Sequence, residues 1–164
     1  MEDELLSLNS NHVYETVPIR EGVTPTTSKP VFQIKHDHNG KVEWYKLQIV
    51  ARGFTQHEGV DYQEVFAPVA NLESVRIVVS LAAKYDLELD QMDVLTAYLN
   101  GELEEELYMS PPEGVPIQPG YCRHLKRSLY GLKQAGRTWN KILDQKLREL
   151  SFTWLDAETC LYVI

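Results

Sequence analysis

The chain has 164 residues, 43% of them hydrophobic and 24% charged, with a net charge of −8. That length and balance suit one globular domain and exclude a disordered tail or a disulfide scaffold. No run reaches the roughly 18 apolar residues a bilayer span needs, and the acidic start MEDELLSLNSNH is unlike a signal peptide, so an intracellular, non-secreted protein is expected.

In chain order, residues 1–29 show little periodicity and concentrate Pro, Thr and Ser in VPIREGVTPTTSK, which predicts a loosely ordered leader. From Val31, VFQIK alternates as a strand, HDHNGK supplies the Asn39-Gly40 turn, and VEWYKLQIVA returns as a second strand, together a β-hairpin. His36 and His38 flank its turn and are read as structural. GFTQHEGVDYQEVFAPV, with Gly53, Gly59 and Pro68, is connection. Leu72, Val75, Val78, Val79 and Ala82 then recur at helical spacing, and Ile77, Leu81 and Ala83 predict a helix over about Glu73 to Tyr85 buried almost all round.

Gln91 to Gly101, QMDVLTAYLNG, reads as a strand ending in a tight turn, with Asp93 set among apolar neighbours. A carboxylate at a strand end is placed to hold a metal, while the lone residue reads equally as an exposed aspartate on a solvated edge. The run ELEEE beyond it has the spacing of a solvated charge run and is assigned no chemistry, while PPEGVPIQPG predicts a surface loop before a strand around Tyr121 to Leu125. Trp139, Ile142, Leu143, Leu147 and Leu150 form one face of an amphipathic helix, and CLYVI reads as a last strand. Cys122 and Cys160 lie in no CxxC arrangement and are read as reduced core thiols.

Charge is distributed unevenly. Asp86 to Glu113 holds nine acids and no Lys or Arg, whereas Tyr121 to Leu150 holds eight bases against Asp144 and Glu149. Acids to hold cations beside bases to hold phosphates suit a polymerase, and the same asymmetry suits two ordinary solvated faces.

QMDVLTAYLNG resembles motif A of the reverse transcriptases of copia-type LTR retrotransposons, usually close to QMDVKTAFLNG. The resemblance continues through YKLQIVARGFTQHEGVDYQEVFAPVANLESVR, ELEEELYMSPPEG and LKRSLYGLKQAGRTW, and covers about Pro30 to Ile164. It implies an α+β arrangement, the fingers and partial palm of a right-hand polymerase over residues 30–164, with helices packed on one side of an antiparallel sheet. The implied activity is RNA-directed DNA synthesis on an RNA template and DNA primer, using deoxynucleotide triphosphates and two magnesium ions about 3.5–4 Å apart.

By the same resemblance Asp93 is the first catalytic carboxylate, and the Val94 carbonyl helps hold the nucleotide-side metal. Tyr98 takes the ring position beneath the sugar that excludes ribonucleotides. Lys46 is a triphosphate contact and Gln134 is the glutamine turned toward the nucleotide. Arg123, Lys126, Arg127, Lys133 and Arg137 are expected to give salt-sensitive affinity for nucleic acid. The chain departs from the family pattern at Gln48 (usually Arg), Leu95 (Lys), Pro30 (Trp) and Gly136 (Pro).

The family's second acidic motif, YVDD, is absent. The chain alone is therefore expected to be inactive, with an exposed apolar sheet edge that promotes self-association. The alternatives are a non-catalytic nucleic-acid-binding remnant and a decayed open reading frame.

Overall fold

The computed structural model describes Met1–Ile164. It is an α+β structure of three helices and seven strands: α1 (Glu2–Ser10), β1 (Tyr14–Pro18), β2 (Ser28–His36), β3 (Val42–Ala51), α2 (Leu72–Tyr85), β4 (Glu102–Met109), β5 (Tyr121–Arg127), α3 (Ala135–Glu149), β6 (Thr153–Leu155) and β7 (Glu158–Val163). The strands form an antiparallel sheet of order β1-β5-β4 and two hairpins, β2-β3 and β6-β7. No helix is long and apolar enough to cross a membrane.

Residues 1–29 are ordered, contrary to the expectation of a loose leader. Glu2, Asp3 and Glu4 place negative charge at the positive end of α1, and Leu8, on the same helix, is fully buried. Val13 is fully buried as well, and its carbonyl accepts hydrogen bonds from Lys126 and Arg127. β1 then pairs with β5 from Tyr14↔Leu125 to Pro18↔Tyr121. Low periodicity misled because α1 contributes only one side chain to the core and β1 is a five-residue edge strand.

The β2-β3 hairpin forms as the alternation predicts, and Asp37 closes its turn by accepting from the Asn39 and Lys41 amides at 2.8 and 2.9 Å. Gly40 takes the left-handed conformation there. The hairpin joins the sheet at its base, where the Thr26 and Ser110 amides exchange bonds with the Tyr108 and Thr26 carbonyls. The outer edge of β3 is also satisfied, by the Glu4 carboxylate at the Ile49 amide and the Tyr130 carbonyl at the Ala51 amide. Since the Ile49 amide faces away from β2, its partner Pro30 has no ladder bond to donate, and proline is tolerated in that strand.

The core gathers Leu8, Val13, Ile49, Ala51, Leu99, Leu107, Met109, Leu125, Leu129, Leu132 and Ala135. Two backbones cross within it so closely that each needs glycine. A Cβ on Gly131 (φ +88°) would lie 2.1 Å from the Ala51 carbonyl oxygen, and one on Gly53 would lie 2.1 Å from the Gly131 oxygen.

Three further expectations are corrected. α2 forms where predicted, capped by Asn71, but it is not buried: Ala82 is its one buried residue, and Ile77 is 59% exposed. It does not pack on the sheet, and its ties run through the Glu158 carboxylate, which accepts from the Ser74 hydroxyl at 3.0 Å and the Asn71 amide at 3.4 Å. Leu87 to Val94 is irregular chain instead of a strand, because no neighbouring strand supplies the ladder bonds an extended segment needs. Large exposed apolar surface lies on α2, on Leu87, Leu89, Met92, Val94 and Leu95, and on the β2-β3 hairpin through Phe32, Ile34, Trp44 and Tyr45.

Candidate nucleotide site

Asp93 lies on the exposed segment that leaves α2 through Asp86, a residue in the left-handed conformation. Val94 beside it is also exposed. The chain re-enters the fold at Thr96, a β-branched residue held at φ +54°, an unfavourable conformation for this side-chain type. The Leu99 amide and the Asn100 side chain both donate to its carbonyl and hold it there. A 3-10 turn follows over Ala97–Asn100, anchored by buried Leu99 and carrying half-buried Tyr98.

Tyr98 meets Tyr130 edge to face, with ring centroids 4.8 Å apart and an interplanar angle of 66°. Tyr130 is half-buried. Burial is the main influence raising its pKa, with Tyr98, Glu4 and Asp93 adding negative potential. Gln48 and Lys46 are two residues apart on β3 and share one strand face, opposite the face that sends Leu47 and Ile49 to the core. Lys46 takes part in none of the six ion pairs. Tyr98 and Tyr130 are thus brought together, and Lys46 and Gln48 share one face of β3. Tyr130 is the member that no spacing in the sequence singles out.

Gln134 occupies a different place. It precedes α3, is 2% exposed, and its amide is fully engaged: its oxygen accepts from Gln56 at 3.1 Å, and its nitrogen donates to the Asp61 carbonyl at 2.9 Å and toward Glu105 at 3.4 Å. Gln56, itself buried, also accepts from the Lys133 amide at 2.8 Å. Gln134 lines a cavity of about 440 Å³ with Glu64, Glu102, Glu104, Glu105, Arg137 and Lys141. The run ELEEE is more than a solvated charge run. It belongs to β4, whose register slips against β5 between Glu102 and Leu107, and its acids are aimed at partners: Glu104 pairs with Lys141 at 2.8 Å and Glu106 with Arg20 at 3.0 Å. The Lys141 contact holds the Glu104 carboxyl below its usual pKa, and a hydrogen bond from Tyr108 does so for Glu106.

The five bases expected to meet nucleic acid, Arg123, Lys126, Arg127, Lys133 and Arg137, point to different surroundings. Arg123 is 6% exposed and stacks on Tyr14, its guanidinium carbon 3.9 Å from the ring centre, with Nε and Nη1 lacking hydrogen-bond partners. Lys126 pairs with Glu15 at 3.2 Å, Arg127 donates to the Leu99 carbonyl, and Lys133 donates to the Tyr62 hydroxyl at 3.0 Å. Arg137 pairs with Glu64 at 2.8 Å and donates to the Phe66 carbonyl. Cys122 and Cys160 are free thiols, each with its pKa raised by burial. No group of three or more His, Cys, Asp or Glu side chains is arranged to hold a metal ion.

These sequence blocks belong to a known class: residues 11–164 match the reverse transcriptase (RNA-dependent DNA polymerase) family, and the chain is a member of it. It is 41% identical over 165 residues to the Retrovirus-related Pol polyprotein from transposon TNT 1-94 of Nicotiana tabacum, covering 99% of this chain and 12% of that protein. The polyprotein from transposon RE1 of Arabidopsis thaliana is 35% identical over 167 residues, covering 100% of this chain and 11% of the relative. The chain therefore spans only a small part of the length of these proteins. No solved structure matches it.

Proposed function

We propose that residues 30–164 are the fingers and part of the palm of a right-hand polymerase that copies an RNA template onto a DNA primer, and that the chain does not polymerise by itself. The observation that carries this reading is the edge-to-face contact of Tyr98 with Tyr130, five residues beyond the exposed Asp93. In this reading Lys46 meets the triphosphate, Tyr98 lies under the sugar, and Asp93 with the Val94 carbonyl faces the metal. Gln134 contributes by fixing the turn before α3, because its amide is spent on Gln56, Asp61 and Glu105.

The residues present do not fit a two-magnesium site. Magnesium requires near-octahedral oxygen coordination, and two ions need more than one exposed carboxylate between them.

Two measurements test the proposal. Titration with a deoxynucleotide triphosphate and magnesium, followed by amide NMR, is expected to shift Lys46, Asp93 and Tyr98 together. Shifts confined to the cavity beside Gln134 would overturn the site. Primer extension on an RNA template is expected to yield no product, and magnesium-dependent incorporation abolished by Asp93→Ala would overturn the claim of inactivity.

A further inference from the structure

Tyr98 and Tyr130 differ in how firmly they are held. Tyr98 rides on a four-residue turn entered through strained Thr96 and fed by exposed, irregular chain. Tyr130 is fixed through its backbone and neighbours. Leu129 before it is fully buried, its own carbonyl accepts from the Ala51 amide at 2.8 Å, and Gly131 after it is wedged against the Ala51 oxygen. The better-anchored ring therefore determines where the other sits, through an edge-to-face contact of defined geometry.

We infer that Tyr130 is a positioning residue that holds the Tyr98 ring in place and thereby sets how strongly the site distinguishes deoxyribonucleotides from ribonucleotides. This rests on the reading of Tyr98 as the ring beneath the sugar. Discrimination against a hydroxyl depends on where the ring edge stands, and a ring free to swing would yield to the extra oxygen.

The test uses the full chain and its Tyr130→Leu, Tyr130→Met, Tyr130→Phe and Tyr98→Ala variants. Two quantities are read: the NMR signals of the Tyr98 ring, and the ratio of dissociation constants for ATP and dATP in magnesium. Tyr130→Leu is expected to move the Tyr98 ring signals and reduce the ratio about 2- to 10-fold, the range an edge-to-face contact supports. Tyr130→Phe, which keeps the ring, should leave both near wild type. Tyr130→Met, whose flexible side chain also removes the ring, should change both in the same direction as Tyr130→Leu, and it decides the matter if Tyr130→Leu fails to fold. Unmoved Tyr98 signals, or an unchanged ratio, in Tyr130→Leu or in Tyr130→Met would overturn the inference. A preference present in wild type, lost in Tyr98→Ala and retained in Tyr130→Leu would overturn it alone. No preference in wild type would overturn the reading of Tyr98 as well.

Discussion

Helices α2 and α3 have 14 and 15 residues and opposite fates. α3 is the more polar, yet Trp139, Ile142, Leu143 and Leu147 are all half-buried, and Arg148–Asp144 and Lys146–Glu149 pairs line its outer side. α2 is the more apolar and buries one alanine. The difference shows that burial follows from available partners and not from apolar content. Segregation of apolar residues to one side lets α3 settle against the 3-10 turn that carries Tyr98, whereas α2, apolar on most sides, needs covering on most sides. The same contrast divides the whole molecule into an anchored part around the Ala51–Gly131 crossing and an unanchored arm from Leu72 to Leu95.

The crossing offers the sharpest way to break this comparison. Gly131→Ala would drive a Cβ to 2.1 Å from a backbone oxygen at positive φ, so a loss above about 4 kcal/mol is expected, enough to prevent folding. Gly22→Ala shares the positive φ but meets nothing within 4 Å, and should cost about 1 kcal/mol. Denaturant melts of the two compare close approach with conformation, and equal losses would mean that the crossing is not tight.

Truncation extends the comparison to side chains. Leu129→Ala, in the anchored core, is expected to cost about 2–5 kcal/mol by denaturant melt. Ile77→Ala on α2 should stay within about 0.5 kcal/mol and reduce self-association seen by light scattering. A large loss for Ile77→Ala would show α2 packed in solution.

Arg123 is the anchored part's own weakness. Its Nε and Nη1 are buried without partners, the Tyr14 ring offsets only part of that cost, and burial is what lowers its pKa. Replacing it by a flexible apolar chain of similar length, Arg123→Met, is expected to stabilise the fold by about 1–3 kcal/mol in a thermal or denaturant melt. A destabilised variant would mean that the guanidinium has a partner in solution.

What was legible in the sequence follows from the same physics. The β2-β3 hairpin, β5, α3 and the last strand carry their signals locally, as alternation, an Asn-Gly turn or a one-sided apolar stripe. Residues whose state depends on a distant partner were not legible. Leu87 to Val94 has the composition of a strand and no neighbour to pair with, α1 enters the core through Leu8, and Arg123 looks like a surface base until Tyr14 is placed beneath it. The chemistry of Asp93 and Tyr98 came from the motif, while Tyr130 and the Gln56–Gln134 bond became visible only in three dimensions.

The smallest effect concerns the tie between the two parts. Glu158 on β7 has its pKa lowered first by the Cys160 amide, then by the Ser74 hydroxyl, and also by the Asn71 amide, the last two at the start of α2. A carboxyl whose folded pKa lies below its unfolded value contributes stability that is present above about pH 4.3 and lost as pH falls through the folded pKa. Acidification should therefore release α2 while the Ala51–Gly131 crossing, which has no titrating group in its contacts, stays closed. Hydrogen exchange, corrected for the intrinsic pH dependence of the amides, is expected to show protection of Val75 to Ala82 falling as pH is lowered from 6 to 3. Glu158→Gln, which cannot carry the charge, should be less protected at pH 6 and nearly flat across the range. The Ala51 amide should keep its protection in both proteins. Equal, pH-independent protection of α2 in wild type and variant would show that contacts other than the Glu158 carboxylate hold the helix, and the division of the molecule at that point would fail.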